Sequence, residues 1–186
     1  MTKNFTQIVF TESVKKEQEK YGTRNAYAKM EKSLDRYVLS DKEVSFIQSR
    51  DSFYMATLGE NGWPYVQHRG GTKGFVHVLN DTTLAFADFR GNGQYISVGN
   101  IQSNNKTSII MINYPTQQRL KIWAESHIIE TSKDKALEVL LENQNHPSPI
   151  ERIVLLKIQA FDWNCPQHIT PRYTEDEISR MRQGIL

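Results

Sequence analysis

With 186 residues, 38% of them hydrophobic and 24% charged, and a mean hydropathy of −0.58, the chain has the composition of one globular domain, large enough for a core without disulfide or metal staples. A net charge of +2, with the cations spread along the chain, excludes nucleic acid as the expected partner, and a pI of about 8.6 hints at small anions at most. One cysteine excludes an internal disulfide framework; with no apolar run near the ~20 residues of a membrane span and no signal-peptide core in MTKNFTQIVFTESVKK, the expected location is cytoplasmic.

Residues 1–39 read as a helical extension and 40–186 as the main domain. Between 11 and 36 the chain is polar and charged, with Val14, Tyr21, Tyr27, Met30 and Leu34 as intermittent apolar points. This pattern predicts one or two loosely packed helices broken near Gly22. SDKE (40–43) is a capping box: the Ser40 hydroxyl accepts from the N–H of Glu43, whose carboxylate accepts from the N–H of Ser40, so a short helix starts there.

Strands follow. FYMATL (53–58) and WPYVQH (63–68) flank GENG and predict a hairpin with Asn61-Gly62 at positive φ. GFVHVL (74–79) and LAFAD (84–88) make a second hairpin across Asn80-Asp81. TSIIMIN (107–113) and RLKIWAESHIIE (119–130) make a third across YPTQQ. In the last of these Leu120, Ile122 and Ala124 alternate with Arg119, Lys121 and Trp123, placing one face on a core and two cations and an indole on the other. TSKDKALEVLLEN (131–143) predicts a helix with Ala136, Leu137, Leu140 and Leu141 on one side, and ERIVLLKIQAF (151–161) a long strand. TEDE (174–177) is a second capping box and opens a C-terminal helix. Three hairpins and a returning strand predict a mainly β (α+β) fold, a six- to seven-stranded antiparallel sheet that closes as a barrel with short helices over its ends.

Three places carry residues suited to a ligand. In ADFRGNGQYISVGN (87–100) a strand ends at Asp88, Gly91 and Gly93 allow a tight turn, and a helix is expected over 94–103. Such a turn is an anion site or, as the commoner case, a plain strand-to-helix loop. In QHRGGTKGF (67–75) Arg69 and Lys73 flank two glycines, a phosphate cradle or a bend at a barrel corner. The row Arg119, Lys121 and Trp123 is a solvated strand face or the wall of a pocket for an electron-rich ring. The histidines are too far apart for a local metal pattern and one cysteine cannot anchor zinc, so no metal site is expected. Cys165 with His168 three residues on is a weak nucleophile pattern, and Walker, Rossmann and G-x-S-x-G motifs are missing.

Taken together, RGGTKGFVHVLNDTTLAFADFRGNGQYISVGN, QRLKIWAESHIIE and FDWNCPQHITPRY resemble the flavin-nucleotide-binding proteins related to pyridoxamine 5'-phosphate oxidase, over about residues 40–177. The resemblance implies a split β-barrel, a homodimer, and FMN in a groove between two barrels to which both chains contribute. It implies that Arg69, with Gly70 beside it, and Lys73 meet the phosphate or ribityl chain. Phe86, Ala87 and Asp88, followed by Asn92, Gly93 and Gln94, correspond to the phosphate-binding turn, and Arg119 with Lys121 to the flavin's pyrimidine edge. Trp163 and Arg172 are similar to side chains that the partner subunit brings to the ring system. Gly93 departs from the family pattern, which has an arginine or lysine there; either Lys73 or Arg90 substitutes, or FMN binds more weakly than in relatives, or the anion bound is a different one. The oxidase's substrate clamp is not reproduced in QHITPRY, so vitamin B6 oxidation is not expected. The implied activity is an FMN-dependent oxidoreductase acting on a small molecule. The alternative is a non-catalytic flavin- or haem-binding sensor, with His127 or His168 as the haem ligand.

Overall fold

Most helix starts among the described residues coincide with side chains able to accept from the orphan N–H groups of a first turn. Described here from a computed structural model, the chain covers residues 4–32, 38–142 and 148–184. Asn4 caps α1 (Phe5–Val9), a short helix that the sequence reading did not anticipate, and Thr11 caps α2 (Glu12–Lys20). Gly22, at φ +72°, separates α2 from α3 (Arg24–Glu31), the break expected there; Leu34 lies outside the described residues. The predicted capping box opens α4 (Asp41–Gln48), the Ser40 N–H donating to Glu43 Oε2 at 3.1 Å.

The described residues then form β1 (Ser52–Leu58), β2 (Pro64–Gly70), β3 (His77–Asn80), β4 (Thr83–Phe89), α5 (Ile96–Ser103), β5 (Lys106–Asn113) and β6 (Gln118–Glu130). A single 3-10 turn at Thr131–Lys133 leads to α6 (Lys135–Leu141), and β7 (Ile150–Trp163) and α7 (Glu175–Arg182) complete the chain. All three predicted hairpins form, and the seven strands pair antiparallel in the order β2-β1-β5-β6-β7-β4-β3.

Closure is where the sheet departs from expectation, because the edge strands β2 and β3 do not pair with one another. The connection between them spends its backbone groups elsewhere. The Gly71 N–H donates to the carbonyl of Asp51 at 2.9 Å, and the Gly74 N–H, at φ +82°, donates to that of Arg50 at 3.1 Å. The predicted third strand therefore starts at His77, three residues later than the alternation suggested.

Alternation does decide the core. Phe53 and Met55 of β1, Ile109 and Met111 of β5, and Leu120 and Ile122 of β6 all face one side and are fully buried, with Phe46 and Ile47 of α4 over them. Phe53 stacks on Phe75 at 5.6 Å and meets Phe86 edge-on at 5.3 Å. Strands β4 and β7 are covered on their second face as well, where Ala85 and Ile153 meet Leu137 and Leu141 of α6. The helix predicted over 131–143 is broken at Asp134, whose carboxylate accepts from the Leu137 N–H at 2.9 Å and starts a new helix. Of its four predicted core residues only Leu137 and Leu141 are buried; Leu140 is 53% exposed, and Asn143 lies outside the described residues.

Register assigns the remaining side chains to faces. Arg69, Gln67 and Tyr65 of β2 stand opposite Phe53, Met55 and Thr57, on the core side of the sheet. Val66 and His68 stand opposite Ala56 and Tyr54 on the other side. That second face continues through Ile110 and Ile112 of β5 to Lys121 and Arg119 of β6. Its β1–β2 part exposes apolar side chains, Val66 at 60% and Tyr54 at 40%. At one end α1 covers it, the Phe5 ring stacking on Trp123 at 5.9 Å. Among the described residues no helix is long and apolar enough to cross a membrane.

Candidate functional site

The segment 87–100 folds as a strand, a turn and a helix, as its glycines and Asn92 predict. Asn92 Oδ1 accepts from the Gln94 N–H at 3.1 Å, Gly93 takes φ +74°, and Tyr95 adopts the left-handed conformation, φ +51°, at the start of α5. Helix α5 begins at Ile96, two residues later than expected, because Tyr95 turns the chain into it. Its first turn lies against β2, where the Ser97 hydroxyl donates to Gln67 Oε1 at 3.0 Å.

Between this turn, β2 and the start of β7 is a pocket of about 220 Å³. Asp88, almost fully buried, forms its charged centre: Oδ1 accepts from Arg69 Nη1 and Oδ2 from Arg152 Nη1 at 3.2 Å. Asp88 and Arg152 are direct cross-strand neighbours, just before a shift in the β4–β7 register. Arg152 Nη2 also meets Glu151 Oε1 at 2.7 Å, and the Tyr95 hydroxyl donates to the same oxygen at 2.8 Å. The Tyr95 ring lies 4.7 Å from the Arg152 guanidinium. Arg69 Nε is buried and, among the described residues, lacks a hydrogen-bond partner. An unpaired guanidinium donor next to the unsatisfied N–H groups of a helix start favours an anionic oxygen ligand.

Five of the predicted site residues, Arg69, Asp88, Asn92, Gly93 and Gln94, line this one pocket. Gly70 ends β2, and Lys73 is exposed in the connection to β3, away from the pocket lining. Phe86 is a core side chain and Ala87 faces the α6 cluster, so only their backbones bear on the turn. Arg152, Glu151, Tyr95, Ser97 and Gln67 were not anticipated. For Tyr95 a local signal existed, an aromatic residue directly between a glycine-rich turn and a helix. Arg152 and Glu151 depend on a strand pairing that spans more than sixty residues.

The other predicted residues lie on the opposite face of the sheet and at its C-terminal end. Arg119 Nε is buried and likewise without a partner among the described residues. Lys121 Nζ meets Asp162 Oδ2 at 3.3 Å and lies 5.3 Å from the Trp123 ring. Trp163 is held within its own chain: its indole N–H donates to Glu43 Oε1 at 2.6 Å, and its ring meets Phe46 edge-on at 4.7 Å. Burial pushes the Glu43 carboxyl up, but hydrogen bonds from Ser40 and Trp163 outweigh it and hold its pKa below the ordinary value. Arg172 is exposed, with its guanidinium 5.1 Å from the Tyr114 ring. Cys165 and His168 are exposed, and His168 sits at φ +66°.

An incompletely closed antiparallel sheet of this order, flanked by short helices, is a split β-barrel. The family model for pyridoxamine 5'-phosphate oxidase matches residues 39–163, more than half of the chain, and the protein belongs to that family. Solved structures share the fold at low identity. A candidate pyridoxamine 5'-phosphate oxidase from Lactobacillus delbrueckii is 21% identical with a TM-score of 0.54, over 69% of this chain and 97% of that one. HupZ from Group A Streptococcus is 13% identical with a TM-score of 0.55, over 73% and 100%. An FMN-binding protein from Syntrophomonas wolfei is 12% identical with a TM-score of 0.50, over 79% and 97%. No curated protein sequence matches the chain.

Proposed function

We propose that the protein is an FMN-binding oxidoreductase that works as a homodimer, with 40–186 as the flavin-binding unit and 1–39 as a helical extension. The observation that carries this reading is the pocket at the start of α5, where a buried Arg69 donor without a partner adjoins the helix N–H groups. These groups fit a phosphate monoester: Arg69 would grip it, and the 92–94 turn with the first turn of α5 would donate to its oxygens. Membership of the family, and likeness in fold to an FMN-binding protein, support the choice of ligand.

The two faces of the sheet support the dimer. Arg69 belongs to the core side of β2, whereas Arg119 and Lys121 belong to the opposite side of β6. A ligand gripped at one end by Arg69 reaches such residues most simply on a second copy. The exposed apolar face around Tyr54, Val66 and Ile110 offers the surface for that copy. In this reading Arg119 and Lys121 favour negative charge at the ring edge, and Trp163 and Arg172 close over the ring. Bound flavin supplies the electron or hydride transfer, and the protein supplies orientation and charge.

The test is spectroscopic. Purified protein mixed with FMN should show saturable quenching of flavin fluorescence and sediment as a dimer. Protein that takes up no flavin overturns the reading, and a Soret band after haem addition would favour the haem alternative. Bleaching of the bound flavin by NADH or NADPH, followed by reoxidation in air, separates an enzyme from a carrier.

A further inference from the structure

The charges in the pocket balance. Its lining holds two cations, Arg69 and Arg152, and two anions, Asp88 and Glu151. The turn contributes no cation to this lining: Arg90, expected as a substitute, is exposed and outside it, and Gly93 has open space where a side chain would stand. Arg152 is fixed on three sides by Asp88, Glu151 and the Tyr95 ring, with its side chain only 14% exposed. A guanidinium has five N–H donors in a planar fork, so donors remain after these two carboxylates are served. A cation held rigidly in place binds an anion without a further ordering cost.

We propose that Arg152 is the second phosphate-binding cation of this pocket, and that Glu151 is a fixed counter-charge which limits how strongly the pocket attracts anions. The inference rests on the flavin-nucleotide reading above and adds two residues that neither the motifs nor the comparisons assign. Glu151 accepts from both the Tyr95 hydroxyl and Arg152, and a glutamine carbonyl accepts from the same donors. Glu151→Gln therefore keeps the geometry and removes one negative charge. The pocket then goes from balanced to net positive, and a phosphate ester is drawn in more strongly.

The experiment compares FMN with riboflavin, which has the same ring and no phosphate, by fluorescence titration of the full chain at fixed ionic strength. Loss of a charge-assisted contact in Arg152→Gln should weaken FMN by about tenfold or more and leave riboflavin unchanged. Glu151→Gln should tighten FMN by about three- to tenfold, again with riboflavin unchanged. A gain of affinity for one ligand cannot come from misfolding, so this second variant decides the matter if Arg152→Gln is unstable. Equal weakening of both flavins by Arg152→Gln, or no weakening of either, overturns the proposal, as does native FMN affinity in Glu151→Gln. A native protein that binds neither flavin overturns the flavin reading and this proposal with it. One that binds FMN while the variants fail these tests overturns the proposal alone.

Discussion

Arg69 and Arg119 are both strand arginines, both half-buried, and both carry a buried Nε without a partner among the described residues. Their surroundings nevertheless differ. Arg69 lies on the core side of an edge strand and is tied to Asp88, which also holds Arg152. Arg119 lies on the opposite side, opposite Ile112, and no ion pair to it is formed among the described residues. Residue type and burial alone would not separate the two. What separates them is which side of the sheet the register gives them, and whether a carboxylate from another strand arrives there. The charge of Arg69 is committed to an ion pair, whereas that of Arg119 is not, among the described residues.

The largest test of that contrast is Asp88→Ala. It leaves two buried guanidiniums without their shared counter-charge and should cost about 3–5 kcal/mol in chemical denaturation. A cost no greater than that of Arg119→Ala would collapse the distinction.

A smaller effect tests the C-terminal region, where Glu43 anchors Trp163. Glu43 has a folded-state pKa below the 4.5 of the ordinary side chain, so its contribution is complete above that value and is lost as the pH falls through the folded pKa. Glu43→Gln should lower stability at neutral pH by about 1 kcal/mol and flatten the acid limb of the profile. An unchanged acid limb would mean that the carboxylate is not what holds the indole.

Next comes the role of Trp163 and Arg172 themselves. Trp163→Ala and Arg172→Ala should each weaken FMN by about three- to tenfold in a dimer that otherwise stays intact. Unchanged affinity in both would remove Trp163 and Arg172 from the proposed flavin site and leave Trp163 as a residue that packs on α4.

Smallest of all, Arg119→Ala should change stability by no more than about 0.5 kcal/mol, because only the packing of its stem is lost. A larger loss of stability would show that Arg119 is as structural as Arg69.

How far the sequence was readable follows from the range over which each feature is determined. Alternation in RLKIW put Leu120 and Ile122 inside and Arg119 and Lys121 outside, since side-chain direction in a strand is a property of neighbours. The capping boxes at Ser40 and Thr174 are equally local, and both formed. The Asp88–Gln94 segment was legible as a strand-to-helix turn because its glycines and Asn92 act on their own backbone. Arg152 was not, because its role needs β7 to pair with β4 in one register and with no other. The break at Asp134 was missed for a different reason. Leu137, Leu140 and Leu141 fit a single helical stripe, and an aspartate inside that stripe competes for the backbone in a way that periodicity does not register. The open seam between β2 and β3 was not legible from the strand pattern, because a preference for closure says nothing about where the connecting loop spends its hydrogen bonds.

That seam bears on how newly made chains behave. An unpaired strand edge next to an exposed apolar surface is a template for indiscriminate β-stacking between newly made chains. This protein limits the hazard with short means: Pro64 at the first position of β2, Gly70 at its last, and only four residues in β3. Replacing Pro64 with a β-branched residue would extend the sticky edge without touching the pocket. The expected harm is therefore to yield and solubility at high concentration, with the residues that line the pocket left as they are.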